Sequence, residues 1–269
     1  MTDSVVIVTG AARGLGCAMT LALASAGARV AALDVSMTDD EMANLLERAR
    51  QGGFEDRVLP LHGDVSDPKD CVAAVTATVQ RFGAIHGLVN NAARRLNNIG
   101  SVLEVKKKFF DVDVETWRAV IDTNVNGPFM MAKAVAPLLI AQGWGRIVNI
   151  VTSYPTMLGA GFSPYGPSKA ALEAATVIWS KDLDGTGVTV NALLPGGPAN
   201  TRMIPPTQIS DRSTLVQPEA MAAPIRWLMS KASDGVTGYR FIAQAWDPAA
   251  DSQEASRKTG SPAGWPSSS

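Results

Sequence analysis

The stretch SVVIVTGAARGLGCAMTLALASAGARVAALD, residues 4–34, decides the fold. Its two ends, SVVIVT (4–9) and RVAALD (29–34), are nearly continuous apolar runs. A strand with one face in water would alternate apolar and polar residues, so unbroken runs suit strands covered on both faces. Between them Leu15, Ala18, Met19, Ala22, Leu23 and Ala26 recur at helical spacing, and Gly27 stands where that helix would end. Strand, helix and strand in this order predict a right-handed crossover between parallel neighbours.

The same alternation continues outward. RVLPLH (57–62), IHGLVN (85–90), RIVNIVT (146–152), VTVNALL (188–194) and YRFIA (239–243) read as further strands, separated by helical patterns. One helix is expected from about Thr38, through DDEMANLLERAR, to Gly52, and another from Asp67-Pro68 to about Phe82. The expected architecture is α/β: a single doubly wound parallel sheet of about seven strands flanked by helices, over residues 1–245. Two segments fit poorly. Residues 94–112 form a long connection in which Lys106, Lys107 and Lys108 read as solvated surface. Residues 246–269, rich in Ser, Pro, Ala and Gly, read as an extended C-terminal tail.

Bulk properties remove several function classes. A chain of 269 residues with 46% hydrophobic content, 18% charged content and a formal net charge of −1 describes a soluble globular protein. That charge gives no reason to expect nucleic acid or an anionic membrane. Cys17 and Cys71 form no CxxC pair and read as buried thiols, which suits a reducing compartment. The chain opens almost directly on a strand pattern and has no basic leader or long apolar span, so a cytoplasmic location is expected. His62 and His86 both lie at strand positions, no GxSxG elbow is present, and no spacing resembles a metal-ligand set. A Ser-His-Asp hydrolase and a metal enzyme are therefore disfavoured.

The glycines of the opening stretch carry the first chemical signal. Gly10, Gly14 and Gly16 lie between strand and helix in a GxxxGxG spacing. Glycines there permit a tight turn and bring helix N–H groups close to a pyrophosphate, as in Rossmann-type dinucleotide sites. Asp34 ends the second strand, where a carboxylate can accept from both adenosine ribose hydroxyls and repel a 2′-phosphate. Val35 follows it, so no arginine adjoins the acid. Arg13 in the loop is the one feature favouring NADP; Asp34 points to NAD.

With these motifs in order, residues 4–243 resemble the short-chain dehydrogenase/reductase family. The resemblance rests on Gly10, Gly14 and Gly16, on Asp64-Val65, on NNAA (Asn90 to Ala93) in place of NNAG, on Asn124 in DTNVNG, and on YxxxK as Tyr165 and Lys169. It implies a hydride-transferring oxidoreductase acting on a small alcohol or ketone. Asn124, Tyr165 and Lys169 would be catalytic. The cofactor would meet Gly10, Arg13, Gly14, Leu15, Gly16, Asp34, Asp64, Val65, Asn91, Ala92, Tyr165, Lys169, Pro195, Gly196 and Thr201. The family commonly pairs two helices across a two-fold axis, which implies a homodimer or homotetramer. Ser168, Ala170, Ala171, Ala174 and Ala175 supply small residues there.

Physical chemistry makes the roles reasonable. A phenol with a pKa near ~10 is a poor base, but a cation about 4 Å away at effective dielectric ~20 favours phenolate by roughly 4 kcal/mol, up to about three pKa units. Tyr165 would then serve as general base in alcohol oxidation and general acid in carbonyl reduction. Lys169 would also hold the nicotinamide ribose, and Asn124 a proton-relay water. The family's substrate-binding serine, counted thirteen residues before the tyrosine, corresponds to Thr152, with Ser153 as the alternative. Thr201 lies one position later than the usual nicotinamide contact, and FIAQAWDP replaces the common glycine-pair ending. Met157, Leu158, Phe162, Met203 and Ile204 suggest an apolar substrate pocket, while Arg94, Arg95 and Arg202 could instead anchor a carboxylate. A cofactor-binding sensor that turns nothing over is the other reading of this fold.

Overall fold

A computed structural model describes residues 3–36, 40–95, 108–204 and 209–265. Eight strands form one sheet: β1 Val5–Thr9, β2 Arg29–Asp34, β3 Val58–His62, β4 Gly87–Asn90, β5 Gly145–Ile150, β6 Val188–Leu194, β7 Tyr239–Ile242 and β8 Gly260–Pro262. Their order is β3-β2-β1-β4-β5-β6-β7-β8. All neighbours are parallel except β7 and β8. The order reverses between β1 and β4, where Val6 pairs with Gly87. In an open parallel sheet the crevice at that switch point, beyond the carboxyl ends of the strands, is the place for a ligand.

The unbroken apolar runs are explained by cover on both faces. Val6 and Val8 of β1 point to one side and Ile7 to the other, as the two-residue period requires. On the first side α1 (Gly14–Ser25), α2 (Asp40–Gln51) and α8 (Ala222–Leu228) bury Met19, Leu23, Leu45, Ile225 and Leu228 against the sheet. On the second side α3 (Pro68–Phe82) and α5 (Gly127–Ala141) bury Val75, Met131, Val135 and Leu139. There α7 (Tyr165–Asp182) buries Leu172 beside Met157 of the short α6 (Tyr154–Leu158). The start signal at Asp67-Pro68 is realised: Asp67 accepts from the Lys69 N–H at 2.8 Å, and Gly83 ends the helix at φ 83°. Between α4 (Val114–Ile121) and α5, residues Asp122–Asn126 form a turn of π-helix.

The C-terminal segment corrects the reading of an extended tail. Asp251 caps α9 (Ser252–Thr259) by accepting from the N–H groups of Gln253 and Glu254, and Gly260–Pro262 adds the antiparallel edge strand β8. Composition misled because the apolar anchors are sparse. Trp246 is buried with its ring 5.5 Å from that of Trp227, and Ala255 is buried nearby. These anchors, with the β7–β8 pairing, dock a segment whose other residues are mostly polar. Most of the 94–112 connection, with Lys106 and Lys107, lies outside the described residues, as does Thr38 at the expected start of α2.

Candidate active site

The glycine loop and α1 form one wall of the crevice. Gly10 and Gly14 have φ of 63° and 53°, which side-chain-bearing residues rarely adopt. A Cβ on Gly16 would collide with the Gly10 carbonyl, so only glycine lets α1 start this close to β1. The N-terminus of α1 has no capping side chain and no acidic residue in its first turn. Its N–H groups and positive dipole end are thus available to an anion. Asp34 is buried; its Oδ2 accepts from the Ala12 N–H at 2.9 Å and its Oδ1 from the Ser36 N–H at 3.1 Å. A carboxylate has about four acceptor positions, so each oxygen retains one for a ribose hydroxyl. This wall fits a dinucleotide.

Other residues assigned to the cofactor stand at varying distance from that role. Asn91 donates from Nδ2 to the carbonyls of Thr9 and Gly10, both at 2.9 Å, and so ties the end of β4 to the loop. Thr9 Oγ1 accepts from the N–H groups of Asn91 and Ala92, both at 3.0 Å. A Cβ on Gly14 would lie 2.9 Å from Thr201 Cγ2, so the segment after β6 closes onto the loop. Gly196, at φ 104°, packs against Ile242 and Gln244, and the Pro195 carbonyl accepts from the Gln244 N–H at 2.9 Å. Leu15 is half-buried against the α1-side core. Val65 is buried against Gly127. Asp64 accepts from the Ser66 N–H at 2.9 Å and its hydroxyl at 2.6 Å. Burial pushes the Asp64 carboxyl up, but these bonds and the Arg94 charge outweigh it and hold it below its usual value.

Across the crevice the expected catalytic groups converge. Tyr165 and Lys169 open α7 one turn apart, with Lys169 Nζ 6.0 Å from the Tyr165 ring centroid. Lys169 is buried and donates to the Ile150 carbonyl at 2.7 Å. Asn124, fully buried in the π-helical turn, donates to Ser168 Oγ at 3.0 Å and to the Arg94 carbonyl at 2.9 Å. Its Oδ1 accepts from the Arg94 N–H at 2.7 Å. The extra residue of a π turn rotates a side chain out of the ordinary helical register, here inward. Thr152 and Ser153 lie in the loop after β5. Ser153 Oγ shares a hydrogen bond with Thr156 Oγ1 at 3.1 Å, whereas the Thr152 hydroxyl has no protein partner among the described residues.

The electrostatics differ from the expected picture. Tyr165 is not lowered toward neutrality: burial pushes its phenol up to about 12, although the ring is partly exposed at the crevice, and Arg95 pulls it back only in part. Burial also lowers Lys169 to about 8. Burial outweighs the positive field on the phenol, so the neighbouring cations alone do not make Tyr165 a base.

Motif reading did not foresee the contacts that several residues around the site make. Arg95, considered as a carboxylate anchor, donates to the Met203 carbonyl at 3.2 Å; burial lowers its pKa, and its charge acts on Tyr165. Asn90 donates to Asn149 Oδ1 at 2.9 Å, and Asn149 to Thr176 Oγ1 at 2.9 Å, linking β4, β5 and α7 beneath the site. An asparagine inside the apolar run RIVNIVT was the available signal, because a buried amide needs partners. Of the polar residues beside Thr152, Arg240 donates to its carbonyl at 3.0 Å and pairs with Glu173, one turn beyond Lys169, at 3.0 Å.

A doubly wound sheet with a glycine loop at its switch point defines a dinucleotide-binding scaffold. The short chain dehydrogenase family model matches residues 4–210. A 3-oxoacyl-[acyl-carrier-protein] reductase from Synechocystis is 33% identical over 90% of this chain and 95% of its own. A 2-(R)-hydroxypropyl-CoM dehydrogenase from Xanthobacter autotrophicus is 39% identical over 71% of this chain and 73% of its own. The crystal structure of a levodione reductase superposes with a TM-score of 0.75 at 27% identity, covering 88% of this chain and 94% of that one. The chain belongs to the short-chain dehydrogenase/reductase family of oxidoreductases, which use nicotinamide cofactors.

Proposed function

We propose that this protein interconverts a secondary alcohol and a ketone, with NAD as the preferred coenzyme and Tyr165 as the proton-transfer group. The observation that carries the reading is the convergence of Tyr165, Lys169 and Asn124 at the carboxyl end of β5, opposite the glycine loop. When bound, the nicotinamide supplies the hydride acceptor or donor. The chain's own groups handle the proton. Tyr165 takes it from the alcohol or returns it to the carbonyl oxygen. Lys169, fixed by the Ile150 carbonyl, and Arg95 supply the positive field that offsets burial of the phenolate. The unengaged Thr152 hydroxyl is the donor to the substrate oxygen, and Ser153, committed to Thr156, is not. Asp34 and the uncapped start of α1 bind the adenosine half, and Thr201 closes over the glycine loop.

The test is a panel of secondary alcohols and ketones followed by absorbance of the reduced nicotinamide. Tyr165→Phe should abolish turnover while the protein still binds the coenzyme, measured by calorimetry. Coenzyme binding without turnover of any alcohol or ketone would favour a sensor over an enzyme.

A further inference from the structure

Glu41 lies in the first turn of α2, and its side chain is only 11% exposed. Its Oε2 accepts from Arg13 Nη1 at 2.8 Å, and its Oε1 pairs with Arg202 Nη1 at 2.7 Å. One carboxylate thus joins the glycine loop, α2 and the segment that follows Thr201. A cavity of about 310 Å³, lined by Ala12, Arg13, Gly14, Glu41 and Arg48 among others, opens beside it. Arg13 follows Ala12, whose N–H donates to Asp34 at 2.9 Å, so its side chain springs from the residue next to the one that touches the expected ribose ligand. A free arginine there would suit a 2′-phosphate, which guanidinium groups bind with two parallel hydrogen bonds. Arg13 is not free. Arg48, which also lines the cavity, donates to Cys17 Sγ at 3.4 Å and lies 4.0 Å from Glu219.

We propose that Glu41 is a coenzyme-selecting residue, which neutralises Arg13 and Arg202 and so denies a ribose 2′-phosphate its counter-charge. Asp34 repels the phosphate directly, and Glu41 removes the cations that would compensate. The inference rests on the reading of Asp34 as the ribose ligand.

Calorimetric titration of NAD and NADP tests it without turnover. In Glu41→Gln, NADP should bind about tenfold more tightly while NAD changes by no more than about twofold. Arg202→Met leaves the Glu41–Arg13 pair in place and should leave the ratio of the two affinities unchanged. Adding Arg13→Met to Glu41→Gln should restore that ratio towards its original value. Arg13→Met alone also keeps the test decisive if Glu41→Gln does not fold. It should leave NADP affinity nearly unchanged, and a loss of about tenfold would overturn the proposal. An unchanged ratio in folded Glu41→Gln would overturn it too. Asp34→Asn separates the two readings. If it narrows the gap and Glu41→Gln does not, Glu41 alone loses its role; if neither does, the ribose assignment has failed.

Discussion

At the scale of single residues, Tyr165 sits in a contest between burial and the charge of Arg95. Burial wins without help, and the phenol rises to about 12. Arg95 is the charge that acts against it, and its own guanidinium is depressed by burial. Removing a cation that favours phenolate raises the phenol's pKa. Arg95→Met should therefore move the pH limb of alcohol oxidation upward by about one unit, since oxidation needs the deprotonated form. Arg95→Lys should retain most of the original profile. Profiles of kcat/KM against pH measure this, and coincident limbs would show that Arg95 does not act on the phenol. The adjacent hydroxyls give a second residue-scale contrast. Thr152→Ala should lower kcat by about a hundredfold, the worth of one donor to a developing oxyanion, whereas Ser153→Ala should cost less than about tenfold. The opposite order in saturating NAD would transfer the role to Ser153.

At the scale of elements, regular structure was legible where the period was strong. The apolar runs became buried strands and Asp67-Pro68 began a helix, because burial on both faces and capping leave a local imprint. Asn124, Tyr165 and Lys169 could be picked out as candidates in the sequence, but their geometry could not. The π turn around Asn124 has no propensity signature, and the Tyr165–Lys169 separation depends on the bond from Lys169 to Ile150, nineteen positions away. The C-terminal strap was missed because its support is tertiary. Glu173 accepts from the Gly264 N–H at 3.1 Å, Tyr154 Oη donates to the Gly264 carbonyl at 2.6 Å, and Arg240 lies 3.9 Å above the Tyr154 ring. Burial raises the Glu173 carboxyl, with Arg240 acting against it. Arg240→Leu would leave that carboxylate buried without its cation, at a cost of about 3–5 kcal/mol in stability. Chemical denaturation measures it. Arg240→Leu combined with Glu173→Met should recover much of the loss, because the pair is then removed together. If the double variant is as unstable as the single one, packing and not charge explains the effect.

At the scale of the whole molecule, α5 and α7 expose large apolar side chains to solvent in the single chain. Ala171, Ala174, Ala175 and Ile178 recur at helical spacing along α7, the alanines half-buried and Ile178 56% exposed. On α5, Phe129 and Ile140 share a face and are 51% and 44% exposed. Small residues allow close helix approach, and exposed large apolar groups on α5 gain from leaving water. This arrangement supports a two-fold homodimer, or a homotetramer built from it, with both helices repeated in the partner so that one patch meets its own copy. A charge at the centre of a self-complementary patch is introduced twice per interface, opposite itself or close to it. Ile178→Glu should therefore shift the protein to monomer at micromolar concentration. The position is exposed in the single chain, so its secondary structure by circular dichroism should persist. Light scattering before and after the substitution decides the matter. A wild-type protein that is monomeric at that concentration would assign these helices to no interface, and a dimer that survives Ile178→Glu would place the contact elsewhere on the surface.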